Sequence, residues 1–559
     1  MQKRSQVLKE IETGEFDLLI IGGGVVGVGV AQDAASRGLS VLLVEKADFA
    51  SGNSSRTTKL IDVHVHGGLR LLNPFQFQLR STRELCQERS LLQQLAPHMV
   101  RDFSFLLPIS RGKTFFGLKA EVGLSLYDLL SINARGVRRH ERLSRKAALR
   151  AAPSLSEQVV QAALRFHDCI TDDARIVMEV LKSAVSLGAL AINYLEAKEF
   201  EIEDGKIKSV RCQDRISGNT ISVRCKACIN ASGVWSDKLL KQIDPNWQER
   251  VAPAKGTHIM LPLSAFETNT ALFLPTRDGR YVFVVPWQKA LMVGTTDNHY
   301  DGPLDNPQPT EEEINYLLSV LNSYSNKRRL LERGDVIAAW SGLRPLVSEA
   351  GATDATKNLS REHLLFTGPC GIISLIGGQL TNYRILSMQI VDMAVEQLKK
   401  RDQDLGTRLK ATRTGQIMLG GWQNKDDYLT SSAQISSYGR KLGLDPATIE
   451  HLSATYGKDA LKIMETAEAE PKLKERICPD FPPIMAEVPF VTENEMAESL
   501  EDIFSRRTRL GFLHHKQCLQ AAPKVARMVA ETRGWDNARI ASEIANLELN
   551  LGPQLAPAL

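Results

Sequence analysis

Three observations predict an α/β chain with a helical tail. A short apolar strand near the N-terminus runs directly into spaced glycines and a helix. Apolar strand text then recurs in blocks to about residue 400, separated by helical stretches. Beyond about Gly415 the text becomes helical and polar and carries no glycine-rich turn.

The first block, Phe16 to Glu45, organises the rest. Phe16 to Ile21 reads as a buried parallel strand and is too short for a membrane span. It meets Gly22-x-Gly24-x-x-Gly27, after which Val25 to Arg37 has helical spacing up to Gly38. Leu39 to Val44 is a second strand, and Glu45 follows at about 20 residues past the first glycine. The arrangement fits a dinucleotide. Gly22 permits a tight turn, Gly24 lets the backbone approach a pyrophosphate, and Gly27 lets helix and strand pack closely. The helix N-terminus offers N–H groups to phosphate, and Glu45 can accept from ribose hydroxyls.

After Glu45, the loop Ala50 to Lys59 brings the hydroxyls of Ser54, Ser55, Thr57 and Thr58 near Arg56, a set able to touch cofactor phosphates. Pro74 to Leu95 reads as a helix. Lys113 to Leu130 mixes aromatic and apolar residues with lysines, and a basic run from Arg135 to Arg150 follows. From the residues alone this is an amphipathic helix on a neighbouring domain with a solvated charged face; a patch for anionic lipid is the other reading. Asp172-Asp173-Ala174-Arg175 opens a helix to Leu187. Ala189 to Tyr194, Phe200 to Val210 and Ile221 to Ala231 read as strands, with Asp204-Gly205 as a hairpin turn. The last strand closes on Ala231, Gly233 and Trp235, where small residues let a cofactor pass the backbone. Lys255 to His258 opens a block of strands, and Leu364 to Thr367 and Ile372 to Ile376 are two more. Gly377, Gly378, Gln379, Leu380 and Thr381 precede a helix, Asn382 to Lys400, whose N-terminus can face a cofactor's ring end. In the tail, Asp427 to Leu442, Pro446 to Tyr456 and Glu493 to Leu510 are helix candidates.

Composition narrows the class. A chain of 559 residues should hold two or three domains, and 43% hydrophobic with 24% charged residues describes a globular protein. A net charge of +4 makes no case for nucleic acid. Eight cysteines without framework spacing suit a reducing compartment, and Cys225-x-x-Cys228 lies in a strand with no second pair, so no metal is expected. No apolar core of a signal peptide is visible, and no run reaches the roughly eighteen residues of a spanning helix. The expectation is a cytoplasmic protein, with a membrane surface still open to it.

Many motifs in one order carry a resemblance: LLIIGGGVVGVGVAQDAASRGLSVLLVEK, SSRTTKL with HGGLR, TDDAR, NASGVWSD, KGTH, VGTTD, SGLRPL, GGQLTNYR, LGGW and EDIFSRRTRLGF. Together they make the chain resemble the FAD-dependent glycerol-3-phosphate dehydrogenases from about Phe16 into the tail. The resemblance implies an FAD-binding Rossmann-type domain (glutathione-reductase-like, D-amino-acid-oxidase-like) interleaved with a mixed-sheet substrate domain. The expected divisions are an extension over 1–14 and an oxidoreductase region over 15–414, followed by a helical domain over 415–559. Within the region, cofactor segments fall at about 16–75, 165–235 and 335–400, and substrate segments at about 76–164 and 236–334.

It further implies oxidation of sn-glycerol 3-phosphate to dihydroxyacetone phosphate, with FAD as cofactor and a membrane quinone as acceptor. Peripheral contact with the inner face of the cell membrane follows from the same likeness. The oligomeric state stays open between monomer and homodimer. His66, His258 and Arg344 are the catalytic candidates, because loss of a hydride from an alcohol needs a base and a near-neutral histidine suits it. Arg70, Arg344 and Arg361, with Gln379, are the candidates for holding substrate, because a guanidinium binds phosphate bidentately.

Two departures bear on this. Asp62-Val63-His64-Val65 stand before His66 where the family runs straight on, and Gln379 replaces a lysine, which removes a charge. An oxidase or hydroxy-acid dehydrogenase of the same superfamily, and a catalytically impaired flavin-binding regulatory protein, remain as alternatives.

Overall fold

The computed structural model describes residues 2–61, 79–130, 138–348 and 363–551. Two sheets carry the first 400 or so residues. In the first, strands Ile373–Ile376, Thr220–Asn230, Glu15–Ile21, Val41–Val44 and Leu190–Ile192 lie side by side and parallel. Most of their residues are buried, as expected of strands covered on both faces, and the exposed ones fall at the amino ends of Thr220–Asn230 and Glu15–Ile21. Helices Val25–Arg37, Asp173–Ser186 and Tyr383–Lys399 pack with them around one core. The antiparallel hairpin Leu195–Glu203 and Lys206–Asp214 extends the sheet, and Asp204 and Gly205 both have positive φ at its turn. Leu364–Thr367 ends the sheet beyond Ile373–Ile376, on the same side of Thr220–Asn230 as the hairpin.

The second sheet has ten described strands, mostly antiparallel. Val251–Pro262 lies between Ala290–Gly294 and Ala338–Val347, which it pairs along nearly its whole length. This moves an expected boundary. The cofactor segment expected from about 335 begins with a strand of the second sheet, because Ala338–Val347 finds its hydrogen-bond partners there, and among the described residues the first sheet resumes at Leu364. Residues 165–170, expected at the start of a cofactor segment, belong to strand Val160–Ile170, which pairs with Arg101–Ser110 in the second sheet.

The C-terminal helices share one core with the second sheet. Trp340, Phe105 and Leu60 pack in the same cluster as Ile435, Leu452 and Phe512. Lys425–Lys441 and Pro446–Tyr456 match the expected helices and are capped by Asn424 and Asp445. The expected helix Glu493 to Leu510 is not one. Helix Glu487–Asn494 ends, Met496 takes positive φ, and Asp502–Arg507 forms a wider π-turn.

Candidate active site

A cleft of about 1340 Å³, its mouth included, runs across the carboxyl ends of the parallel strands. Such crevices are where open α/β sheets bind ligands. One end is lined by Gly22, Gly24, Ser54 and Thr57, and the middle by Glu45, Ala231, Gly233 and Trp235. Gly377, Gly378, Gln379 and Leu380 line it as well.

The glycines are there for steric reasons. Gly22 has φ +115°, and a Cβ on it would lie 2.5 Å from the Ala231 carbonyl oxygen. Gly27 does not line the cleft; a Cβ there would lie 1.8 Å from the Gly22 oxygen, so it sets how closely the helix meets the turn. Ser54 Oγ accepts from Val25 N–H at 3.0 Å, joining the hydroxyl loop to the helix start. Glu45, expected from its position to meet a ribose, has a structural role of its own. Its carboxylate accepts from Gly23 N–H at 2.6 Å and Ala47 N–H at 2.9 Å, which fixes the glycine turn. Burial pushes its carboxyl up, and those two donors oppose the push.

Ser55 and Thr381 are buried behind the cleft wall. Thr58 serves a different partner: its Oγ1 lies 3.0 Å from His258 Nε2. His258 is buried in strand Val251–Pro262 and stacks on Trp340, with ring centroids 5.2 Å apart and planes 10° apart. A Cβ on Gly294 would lie 2.2 Å from its Cδ2, so the opposite strand is bare to admit the ring. Its Nδ1 is buried and has no hydrogen-bond partner among the described residues. Burial first, then the charges of Lys59 and Arg344, hold its pKa well below the ordinary histidine value.

Arg344 lies on the same sheet face. His258 is opposite Trp340, Gly256 opposite Gly342 and Ala254 opposite Arg344, all in register. A Cβ on Gly256 would lie 2.8 Å from both terminal nitrogens of Arg344, so that glycine makes room for the guanidinium. Asp297 Oδ1 at 3.2 Å and Thr295 Oγ1 at 3.3 Å orient it, and 25% of the side chain stays accessible. His66, Arg70 and Arg361 lie outside the described residues, as does the stretch Asp62 to Val65.

Two contributors are absent from the sequence reading. Lys46 places Nζ 4.0 Å from the Trp235 ring centroid at the cleft edge. Asp173, read only as part of a helix start, accepts from the Thr57 N–H and hydroxyl, both at 2.8 Å, and so fixes the loop that carries Thr58. The signal was the second acid of the TDDAR motif, since Asp172 alone caps the helix.

These residues fit an extended dinucleotide: a strand-end cleft, glycines where a Cβ cannot stand, and a buried Gln379 Oε1 without a partner among the described residues. Comparison with known proteins agrees. The FAD-dependent oxidoreductase family matches residues 17–384, and the C-terminal domain of alpha-glycerophosphate oxidase matches 412–540. The aerobic glycerol-3-phosphate dehydrogenase of Bacillus subtilis (strain 168) is 33% identical over 562 residues, 99% of this chain and 98% of that protein. The human mitochondrial glycerol-3-phosphate dehydrogenase is 34% identical over 96% of this chain and 73% of its own length. Among solved structures, glycerol-3-phosphate dehydrogenase from Bacillus halodurans complexed with FAD superposes with a TM-score of 0.80 at 28% identity, covering 100% of this chain and 98% of that one.

Proposed function

The chain belongs to the FAD-dependent glycerol-3-phosphate dehydrogenases, within the FAD-dependent oxidoreductases, and from that membership we propose how its own residues divide the reaction. It oxidises glycerol 3-phosphate to dihydroxyacetone phosphate with FAD as cofactor. The alcohol loses a hydride from C2 and a proton from the hydroxyl oxygen. FAD, when bound in the strand-end cleft, supplies the two-electron acceptor.

His258 takes the hydroxyl proton. In the tautomer that carries its proton on Nε2, 3.0 Å from Thr58 Oγ1, Nδ1 has a bare lone pair, and this nitrogen has no partner among the described residues. That pairing is the observation that carries the reading, because a base must be neutral, oriented and unengaged. Thr58 and Trp340 hold the ring's position, and burial with two nearby cations keeps it unprotonated. Arg344 binds the phosphate, its planar fork oriented by Asp297 and Thr295. Gly22, Gly24 and the helix Val25–Arg37 hold the cofactor's pyrophosphate, and Glu45 a ribose.

The final acceptor in this reading is a membrane quinone, reached from a peripheral position on the inner face of the membrane. Among the described residues no helix is long and apolar enough to cross a membrane. Helix Thr114–Leu130 instead buries Ala120, Leu124 and Tyr127 while Phe115, Leu118, Val122 and Leu129 stand 72%, 57%, 61% and 63% exposed along its outer face. Exposed Lys113, Lys119, Arg138 and Arg139 flank it. An apolar stripe rimmed by cations is the form that rests in an anionic headgroup layer.

Arg344→Ala tests the substrate assignment. It should raise KM for glycerol 3-phosphate by roughly ten- to a hundredfold, the worth of a hydrogen bond to a charged group, with the flavin spectrum retained. An unchanged KM removes Arg344 from the substrate site.

A further inference from the structure

Lys59 sits in an unusual place for a lysine. Its side chain is wholly buried, and its Nζ lies 5.0, 5.1 and 5.3 Å from the ring centroids of Trp287, Trp340 and Phe512. Two of these rings come from the second sheet and the third from the C-terminal domain. Three rings around one ammonium repay part of its lost hydration through their negative faces. The remaining contacts are long: Thr57 O at 3.3 Å, Ser55 O at 3.4 Å and both Asp173 oxygens at 3.5 Å.

Asp173 is shared. Arg509 from the C-terminal domain holds its Oδ1 at 2.8 Å, and Thr57 holds its Oδ2. Asp172 lies 3.2 Å from Arg509 Nε. The charged groups facing Lys59 are therefore Asp173 and Asp172 from one helix start and Arg509 from the other domain. Burial is the largest influence and brings the Lys59 pKa down to about 8, so the group remains mostly charged at neutral pH.

Lys59 touches the proton step twice over. It is joined by a peptide bond to Thr58, the partner of His258 Nε2, and its Nζ faces Trp340, on which the imidazole stacks. The other cation influencing His258 is Arg344.

We propose that Lys59 is a positioning residue for His258: the buried ammonium, fixed in the Trp287–Trp340–Phe512 box, seats Trp340 under the imidazole and opposes a second proton on that ring. Phe512 closes the box against Trp340 at 4.9 Å between centroids, so the C-terminal domain completes the setting of the base. The proposal rests on His258 being the base.

The test reads His258 itself. Protein labelled with ¹³C at histidine is titrated by NMR in the full-length flavoprotein, and the His258 resonance is assigned by its loss in His258→Asn. In Lys59→Met the resonance should begin to titrate about one pH unit higher than in the parent, the usual reach of a nearby like charge. Lys59→Arg, which keeps the charge, should stay close to the parent. An unmoved titration in soluble Lys59→Met overturns the proposal and leaves Lys59 a packing residue. Should Lys59→Met not fold, Phe512→Leu carries the comparison: opening the box to water screens the ammonium, an upward shift is expected, and no shift overturns the proposal. Failure of the base assignment looks different, since His258→Asn would then turn over normally whatever the titration shows.

Discussion

His258 sets the terms at the scale of single residues. A base that is neutral at all working pH values gives a rate with no acid limb in the usual histidine range. The sign is fixed by the shift: the pKa is lowered, so the neutral form persists to lower pH and activity holds as pH falls from 8 to 6. His258→Asn should lower kcat by roughly 10²- to 10⁴-fold, the range for loss of a general base, while the protein stays yellow. A wild-type limb near pH 6.5 that disappears in the variant would contradict the lowered pKa. His258 and Arg344 could be named as candidates from the sequence because each sits in a recognisable motif, KGTH and SGLRPL, and the strand register sets both on one sheet face. Lys59 could not be. A lysine in a polar loop of serines and threonines reads as solvated charge, and only the folding of Trp287, Trp340 and Phe512 from distant segments encloses it.

Among the elements, the glycine turn and its helix were readable because strand, glycines, helix and acid lie within one local block. The π-turn Asp502–Arg507 was not, since its sequence suits a helix and its shape answers to a remote partner. Arg506 and Arg507 are adjacent, yet both reach Asp48, with Nε of the first at 2.6 Å and Nη1 of the second at 2.8 Å. Ideal helical geometry turns neighbouring side chains about 100° apart, and the wider turn brings both to one carboxylate. Asp48 follows Glu45 by three residues, so the contact ties the C-terminal helices to the loop after Glu45. Burial works against the Asp48 charge, but Arg507 and Arg506 prevail and hold its pKa below the ordinary value. The pair's contribution is thus present above the unfolded carboxylate pKa and is lost as pH falls through the folded one. Arg507→Ala should cost about 3–5 kcal/mol, as removal of one partner of a buried pair does, seen as early release of flavin on heating. Flavin release unchanged from the parent would show that the contact does not couple the domains.

For the whole molecule, two sheets built from alternating segments of chain carry the strand-end cleft and His258 respectively, and helices from the far end of the chain share a core with the second sheet. The alternation was legible in outline from the order of motifs. The assignment of Ala338–Val347 was not, because pairing between strands some 80 residues apart leaves no local mark. The outer face of Thr114–Leu130 was legible as aromatic and basic, but its exposure depended on which neighbour covered it. The double variant Phe115→Glu and Leu118→Glu should lose sedimentation with anionic phospholipid vesicles and keep turnover with a water-soluble quinone analogue. Undiminished vesicle binding would place the membrane surface elsewhere.

Flavin bound across the strand ends should take two electrons from glycerol 3-phosphate. Anaerobic mixing of the purified flavoprotein with that substrate, followed at about 450 nm where oxidised flavin absorbs, tests it most directly. Rapid bleaching is expected in the wild type, and bleaching slowed by orders of magnitude in His258→Asn. A yellow protein that stays yellow under saturating glycerol 3-phosphate would contradict it.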